Sequence, residues 1–219
     1  MTALLDRVAL LSPAYFAPVQ WFQKLNRYGL VLIEWHDNYM KQTYRNRCII
    51  GTGGGAQALI VPVVHAPRGE GGDGGGMGVR VSDHGEWRHL HWNAIASAYG
   101  DSPFWQFYAD DIRTIFGQKG MTLYEFNMVI TLKMCALLDI MPSIATTDHY
   151  FTAADVASGI HGMPIDDFRD VILPKHPPID EGFKPLPYYQ VFAIRHGFLP
   201  NLSILDLLLN MGNEALFYL

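Results

Sequence analysis

The sequence contains few cysteines and few charged residues. Only two of the 219 residues are cysteines, Cys48 and Cys135, and both lie in apolar stretches. Two cysteines are too few for a disulfide framework, so we expect a protein of a reducing compartment, the cytoplasm. Charged residues make up 17% of the chain and give a net charge of −5. This acidic balance argues against nucleic acid as a partner and against binding to an anionic membrane surface.

Long hydrophobic runs and the common catalytic signatures are also absent. No window of eighteen or more apolar residues occurs, and Asp6 and Arg7 interrupt the N-terminal stretch that a signal peptide would need. We therefore expect neither an integral membrane segment nor a signal peptide. The sequence has no GxSxG, GxxxxGK[ST] or HExxH motif and no paired metal-binding cysteines. The usual hydrolase, nucleoside triphosphatase and metalloprotease signatures are thus excluded, and the identity of any cofactor stays open.

Apolar and aromatic residues are abundant instead. They make up 49% and 13% of the chain, which is typical of a packed globular protein and not of a disordered one. The length suits a single domain that covers residues 1–219. Residues 68–78 read RGEGGDGGGMG. They predict a flexible loop rather than a phosphate-binding loop, because they lack a Lys-Ser or Lys-Thr pair.

The order of apolar segments predicts an α/β or α+β fold. Pro18 and Gly29 bracket a helix between two strands, and Thr122 with Glu125 forms a capping box for a long apolar helix. We expect a mixed sheet mainly from residues 5–82, in the N-terminal half, packed by helices of the C-terminal half. The predicted strands are 8–12, 30–35, 48–51, 58–64, 77–81 and 188–194. The predicted helices are 18–29, 88–99, 104–116, 122–140 and 203–210, with an irregular segment at 148–187.

The densest polar cluster is the segment from His36 to Arg47, directly after a predicted strand. If residues 43–49 are extended, Arg45 and Arg47 project to one side about 7 Å apart. Two guanidinium groups at this spacing can bracket a diphosphate or bind a carboxylate, and Lys41 adds a third cation. In the alternative interpretation these cations only pair with acidic side chains at the sheet rim, namely Glu34, Asp37, Asp110 or Asp111.

His36 and Asp37 supply a candidate general base and a supporting carboxylate in adjacent positions. Adjacent strand residues point to opposite faces, so the two side chains meet only if the chain turns there. The alternative is a histidine that caps or packs. In the enzymatic interpretation, Tyr44 and Asn46 orient the acceptor.

His91 and Trp92 are candidates for a second part of a binding site. Together with Trp87 they predict an aromatic wall that either packs against the sheet or stacks on a sugar or a base. His89 and His91 are two residues apart, which does not place them on one face of a helix. We therefore predict no metal site.

Several of these segments also carry a likeness to a known family. The sequence resembles the WbqC-like family in five blocks: PAYFAP at 13–18, HDNYMKQTYRNRC at 36–48, LIVPV at 59–63, Trp87 with His91-Trp92, and NLSILDLLLNMG at 201–212. The family takes its name from surface-polysaccharide gene clusters of the O-antigen type. The resemblance therefore implies a protein associated with surface-polysaccharide biosynthesis.

Two functions suit that setting. One is an acyl or aminoacyl transferase that acts on a sugar nucleotide or a lipid-linked sugar. In that enzyme Arg45, Arg47 and Lys41 hold phosphates or a carboxylate, and His36, helped by Asp37, removes a proton from the acceptor. The alternative is a non-catalytic assembly protein that binds an anionic ligand or glycan of the same pathway. Either way the expected partner is an anionic small molecule, such as a sugar nucleotide or an acyl donor.

Overall fold

The computed structural model describes residues 4–65 and 78–219. The predicted glycine-rich loop at 68–78 lies, except for Gly78, outside the described residues. The strands are β1 (Leu4–Leu11), β2 (Tyr28–Ile33), β3 (Arg47–Thr52), β4 (Gly55–Ile60), β5 (Val63–His65), β6 (Val79–Val81), β7 (Ile144–Thr146) and β8 (Ile165–Asp167). The helices are α1 (Val19–Arg27), α2 (Trp87–Tyr99), α3 (Trp105–Ile115), α4 (Leu123–Leu137), α5 (Ala153–Ser158), α6 (Ala193–His196) and α7 (Ile204–Met211).

The predicted α/β class is confirmed, but the sheet draws its strands from both halves of the chain. Four strands form a sheet in the order β7-β2-β1-β8, and every neighbouring pair is parallel. As expected, β1 to β6 come from the N-terminal half, but β7 and β8 lie beyond residue 82, and the sheet that they join is parallel and not mixed. The antiparallel pairs β3-β4 and β5-β6 are separate hairpins. Each of the two added strands has three residues, which is too short for a periodic pattern to reveal.

Local signals account for α1 and its connection to β2. Pro18 precedes the first helical residue, and Val19, Phe22 and Leu25 are buried on the side that faces the sheet. The chain then enters β2 at once. At Gly29 a Cβ atom would lie 2.2 Å from the carbonyl oxygen of Leu5 in β1. Only glycine therefore allows the two parallel strands to approach at this point.

The predicted capping residues of α4 and α7 are also confirmed, although α4 ends at Leu137 and not at residue 140. The hydroxyl of Thr122 accepts a hydrogen bond from the Glu125 amide at 3.2 Å, and the Glu125 carboxylate accepts one from the Thr122 amide at 2.8 Å. Ser203 caps α7, and Gly212 follows its last residue. All residues of α7 except the last are buried, among α1, α2, α3 and β3.

The strand predicted at 188–194 is wrong. This segment is irregular up to α6. Its Tyr188 and Gln190 side chains donate hydrogen bonds to Asp206 of α7, at 2.8 and 2.9 Å. Contact with a helix, and not with the edge of a sheet, thus determines its course.

The large hydrophobic core lies on the α1 side of the sheet and includes side chains of α2, α4 and α7. A smaller cluster on the opposite face contains Val8, Leu10, Leu32, Phe151 and Ile165. Within residues 4–65 and 78–219, no helix has the length and apolar composition needed to span a bilayer.

Candidate functional site

The residues that follow the four parallel strands lie at one edge of the sheet. Ser12 follows β1, Glu34 follows β2, Thr147 follows β7, and Arg169 comes two residues after β8. In open α/β sheets, ligands bind outside the carboxyl ends of the strands, where the direction of strand order reverses. Here the chain proceeds from β1 to β2 and β7 on one side, whereas β8 pairs with β1 on the other. The reversal therefore lies between β1 and β8.

Glu34 joins the ends of three strands. It is fully buried, at 0% exposure. One carboxylate oxygen accepts from the Thr147 hydroxyl (2.8 Å) and the His36 amide (2.9 Å). The other accepts from the Phe151 amide (3.0 Å) and from Arg169 Nη1 (2.9 Å). Because both oxygens already accept two hydrogen bonds, Glu34 is a structural link and not a free base.

Arg45 has an incompletely bonded guanidinium group. The residue is 2% exposed. Its Nη2 donates to the Ser12 hydroxyl at 2.9 Å and pairs with the Asp37 carboxylate. Its Nε is buried and has no hydrogen-bond partner in the described part of the chain. Such an orphaned donor is rare in native structures, so it marks this position as a candidate for ligand contact.

The predicted geometry of Arg45 and Arg47 on one side of a strand is wrong. Residues 44–46 form a short 3₁₀ helix, and β3 begins only at Arg47. The hydroxyl of Thr43 starts this helix by accepting a hydrogen bond from the Arg45 amide at 3.4 Å. Arg45 is therefore buried, whereas Arg47 is half-buried. The Nε of Arg47 also has no hydrogen-bond partner among the residues that the structure describes. The alternative of pairing with Asp37 holds for Arg45.

A small cavity lies at the reversal point between β1 and β8. Its volume is about 10 Å³, which is close to the space that one water molecule needs. Arg45 and Arg169 both line it, next to Ser12 and the ring of Phe168. Arg169 is in turn held by a two-point pair with the Asp167 carboxylate, at 3.0 and 2.7 Å. Two guanidinium groups thus approach one cavity, each with carboxylate partners.

His36 and Asp37 do not form the predicted catalytic pair. The Asp37 carboxylate pairs with Arg45, and the Asp37 carbonyl accepts a hydrogen bond from the Tyr124 hydroxyl at 3.2 Å. The His36 side chain is half-buried, and its imidazole makes no hydrogen bond within residues 4–65 and 78–219. The hydrogen bond from its backbone amide to the Glu34 carboxylate holds His36 at the carboxyl edge of the sheet.

The other residues of the polar segment have different environments. Tyr44 is buried and lines the cavity, and burial raises the pKa of its hydroxyl to about 12. Asn46 donates to the carbonyl of Val61 at 2.9 Å, so its amide fastens the end of the β3-β4 hairpin. Lys41 is exposed. Of these three, only Tyr44 lies at the cavity beside Arg45.

His91 and Trp92 lie in packing contacts of α2. His91 Nδ1 bonds the Tyr15 hydroxyl at 2.9 Å, and the imidazole also bonds the Ile60 carbonyl. Burial lowers the pKa of His91 to about 4, so the imidazole is neutral at pH 7. Trp92 stacks on Trp105 of α3 with ring centres 5.4 Å apart. Neither side chain is part of the lining of the cavity.

Sequence reasoning missed Ser12, Thr147 and Arg169 as members of this cluster. Glu34 was considered only as a partner of surface cations. Arg169 lies in the segment predicted to be irregular, and no local pattern distinguishes it. The described residues contain no group of three or more His, Cys, Asp or Glu side chains that is arranged to hold a metal ion.

The model of the WbqC-like protein family matches residues 12–160. This is more than half of the chain, so the chain belongs to the WbqC-like family. The matched range contains Ser12, the segment from His36 to Arg47 and Thr147, whereas Asp167 and Arg169 lie beyond its end. No curated protein and no solved structure has a significant match to the chain.

Proposed function

We propose that this member of the WbqC-like family binds an anionic small molecule at the carboxyl edge of its parallel sheet, in the biosynthesis of a surface polysaccharide. The observation that carries the proposal is the buried guanidinium of Arg45, whose Nε has no partner among the described residues. Leaving such a donor unbonded costs about 1–3 kcal/mol or more. An oxygen atom of a sugar nucleotide or an acyl donor would satisfy it.

A second cation lies close to the first. Both Arg45 and Arg47 affect the pKa of the Tyr39 hydroxyl. Burial raises this pKa, and the positive charges of the two guanidinium groups oppose the rise. Both cations therefore lie near one phenol, although Arg45 belongs to the 3₁₀ helix and Arg47 to β3. The unpartnered Nε of Arg47 adds a donor on the more exposed side of the site.

Acyl or aminoacyl transfer is the catalytic form of this proposal, and the environment of His36 favours it. A half-buried imidazole without a hydrogen-bond partner in the described chain lies at the same edge as Arg45. It would accept the proton of an acceptor amine or hydroxyl while that group attacks the acyl carbon. The bond to the leaving group breaks, and the leaving group takes the proton. Asp37 serves the anion site in this scheme, because it pairs with Arg45.

Thermal-shift measurements test the proposal, since a ligand that binds only the folded state raises the melting temperature. We expect stabilisation by at least one class among sugar nucleotides, acyl donors and amino acids, and a weaker effect at high salt. Replacement of Arg47 by Gln should reduce that stabilisation. Arg113→Gln is the matched control, because Arg113 is an exposed cation that stacks on Trp92 away from the site.

The His36→Ala variant separates the two forms of the proposal. Loss of a product with unchanged ligand affinity identifies an enzyme, whereas a change in affinity alone identifies a binding protein. If no anionic compound stabilises the unmodified protein, or if Arg47→Gln and Arg113→Gln behave alike, the proposed anion site is wrong.

A further inference from the structure

The charges around the cavity are nearly balanced. Arg45 pairs with Asp37, and Arg169 pairs with two carboxylates, those of Glu34 and Asp167. Counting the nearby Arg47, three guanidinium groups face three carboxylates. The site thus offers N–H donors without an excess of positive charge. A ligand group with two or three negative charges would meet fixed carboxylates at short range, in surroundings where like charges repel strongly.

The shape of the cavity points in the same direction. Its volume of about 10 Å³ accepts one oxygen atom of a ligand rather than a whole tetrahedral phosphate group. Apolar side chains form much of its wall, among them Ala14, Phe168 and Ile172. A planar carboxylate can place one of its two oxygens in the cavity edge-on, and its geometry matches the N–H donors of a guanidinium group.

We infer that the cavity between β1 and β8 recognises the carboxylate of a small molecule and discriminates against phosphate groups. This inference rests on the proposed function and assigns a ligand class to its site. One carboxylate oxygen accepts from the unpartnered Nε of Arg45. The other stays near Ser12, a half-buried polar residue of the lining. The carboxylate belongs either to an acidic sugar or to an amino acid.

Isothermal titration at constant ionic strength, with the full chain, distinguishes these sources. The carboxylate probes are glucuronate and glycine, and each has an uncharged analogue as its control. The analogue of glucuronate is glucose, and that of glycine is glycinamide at a pH where the glycinamide amine is uncharged. Inorganic phosphate and uridine diphosphate are the phosphate probes. We expect saturable binding of at least one carboxylate, and no saturable binding of its uncharged analogue or of phosphate over the same concentration range. Binding of glucuronate alone identifies an acidic sugar, and binding of glycine alone identifies an amino acid.

Two variants place the binding at the cavity. Arg45→Lys keeps the charge and removes the planar fork, so it should weaken carboxylate binding about tenfold or more. Ser12→Ala removes the hydroxyl that holds Arg45 Nη2 and should weaken it about two- to tenfold. Arg113→Gln should leave it unchanged. If Arg45→Lys does not fold, the Ser12→Ala variant alone decides whether carboxylate binding occurs at the cavity.

The outcomes separate this inference from the proposed function. If phosphate or uridine diphosphate binds in a manner that depends on Arg45 or Ser12, and the carboxylates do not bind, the inference is wrong while the anion site stands. If no anion binds, both are wrong. Carboxylate binding that is the same in Ser12→Ala and in the unmodified protein also overturns the inference.

Discussion

Two buried polar clusters of this protein satisfy their carboxylates in different ways. At the carboxyl edge of the sheet, Glu34 and Asp37 are paired with arginines, and the Nε of Arg45 has no partner among the described residues. In the interior, Asp206 of α7 accepts hydrogen bonds from Tyr99, Tyr188 and Gln190 at 2.8 to 3.0 Å, and it has no salt-bridge partner among the described residues.

The difference shows which cluster is complete. The carboxylate of Asp206 (the α7 carboxylate) accepts hydrogen bonds from neutral donors at both oxygens. It thereby connects α7 to Tyr99 of α2 and to the segment that contains Tyr188 and Gln190. Its charge is uncompensated, so burial raises its pKa to about 6. The carboxyl edge has compensated charges but an unfilled donor. A cavity of about 10 Å³ borders each cluster, but only at the carboxyl edge does the lining include a guanidinium donor without a partner among the described residues.

Removal of residues 201–219 should have the largest effect, because it deletes the α7 carboxylate together with its helix. The leucines of α7 are fully buried, and each contributes about 1.5–3 kcal/mol against a total stability of about 5–15 kcal/mol. We therefore expect an unfolded chain, measured by circular dichroism and thermal melting. Phe217→Ser, at an exposed position of the same segment, is the control. A truncated chain that melts cooperatively near the full-length temperature would contradict a single shared core.

Replacement of Glu34 by Ala should destabilise the carboxyl edge by about 3–5 kcal/mol, because it leaves Arg169 and three other donors without their buried acceptor. The measurement is urea unfolding at pH 7. Asp111→Asn breaks an exposed ion pair with Lys133 and should change the stability by about 1 kcal/mol or less. Equal effects of the two variants would show that the edge cluster is no more than a set of surface pairs.

The α7 carboxylate should make the free energy of unfolding decrease as the pH rises, whereas a carboxylate paired with a cation makes it increase. Its pKa is about 6 in the folded protein, above the value of about 3.9 for a free aspartate. Its stabilising contribution is therefore complete below about pH 4 and is lost as the pH rises through 6. Relative to Asp206→Asn, the unmodified protein should lose about 2–3 kcal/mol between pH 4 and pH 7. The measurement is chemical unfolding of both proteins across this range.

A pair of neighbouring tyrosines provides the control for this titration. Tyr188 donates to Asp206 and lowers its pKa, whereas Tyr189 is exposed. Tyr188→Phe should move the transition to higher pH, and Tyr189→Phe should leave it in place. A stability difference between the unmodified protein and Asp206→Asn that is the same at every pH would exclude the α7 carboxylate as its source.

Helix ends were predictable because their signals are local. Pro18 before α1, the Thr122–Glu125 box of α4, and Ser203 and Gly212 around α7 each act within a few residues. The 3₁₀ helix that buries Arg45 was not predictable, because it has only three residues, too few for hydrophobic periodicity to distinguish it from an extended strand. The partner of the Asp37 carboxylate was not predictable either: it pairs with Arg45, eight residues away, and not with the adjacent His36.

Hydrophobic periodicity and capping act over short distances, so the sequence is enough to predict the α/β class, the main helices, and the polar segment between His36 and Arg47. Which charges meet depends on the tertiary structure. Arg169 and Glu34 are 135 residues apart in the chain and 2.9 Å apart in the fold, since β8 pairs with β1, and only β1 separates it from β2 in the sheet. Burial at that edge depends on the path of the whole chain, and so does the environment of the unpartnered Arg45 Nε.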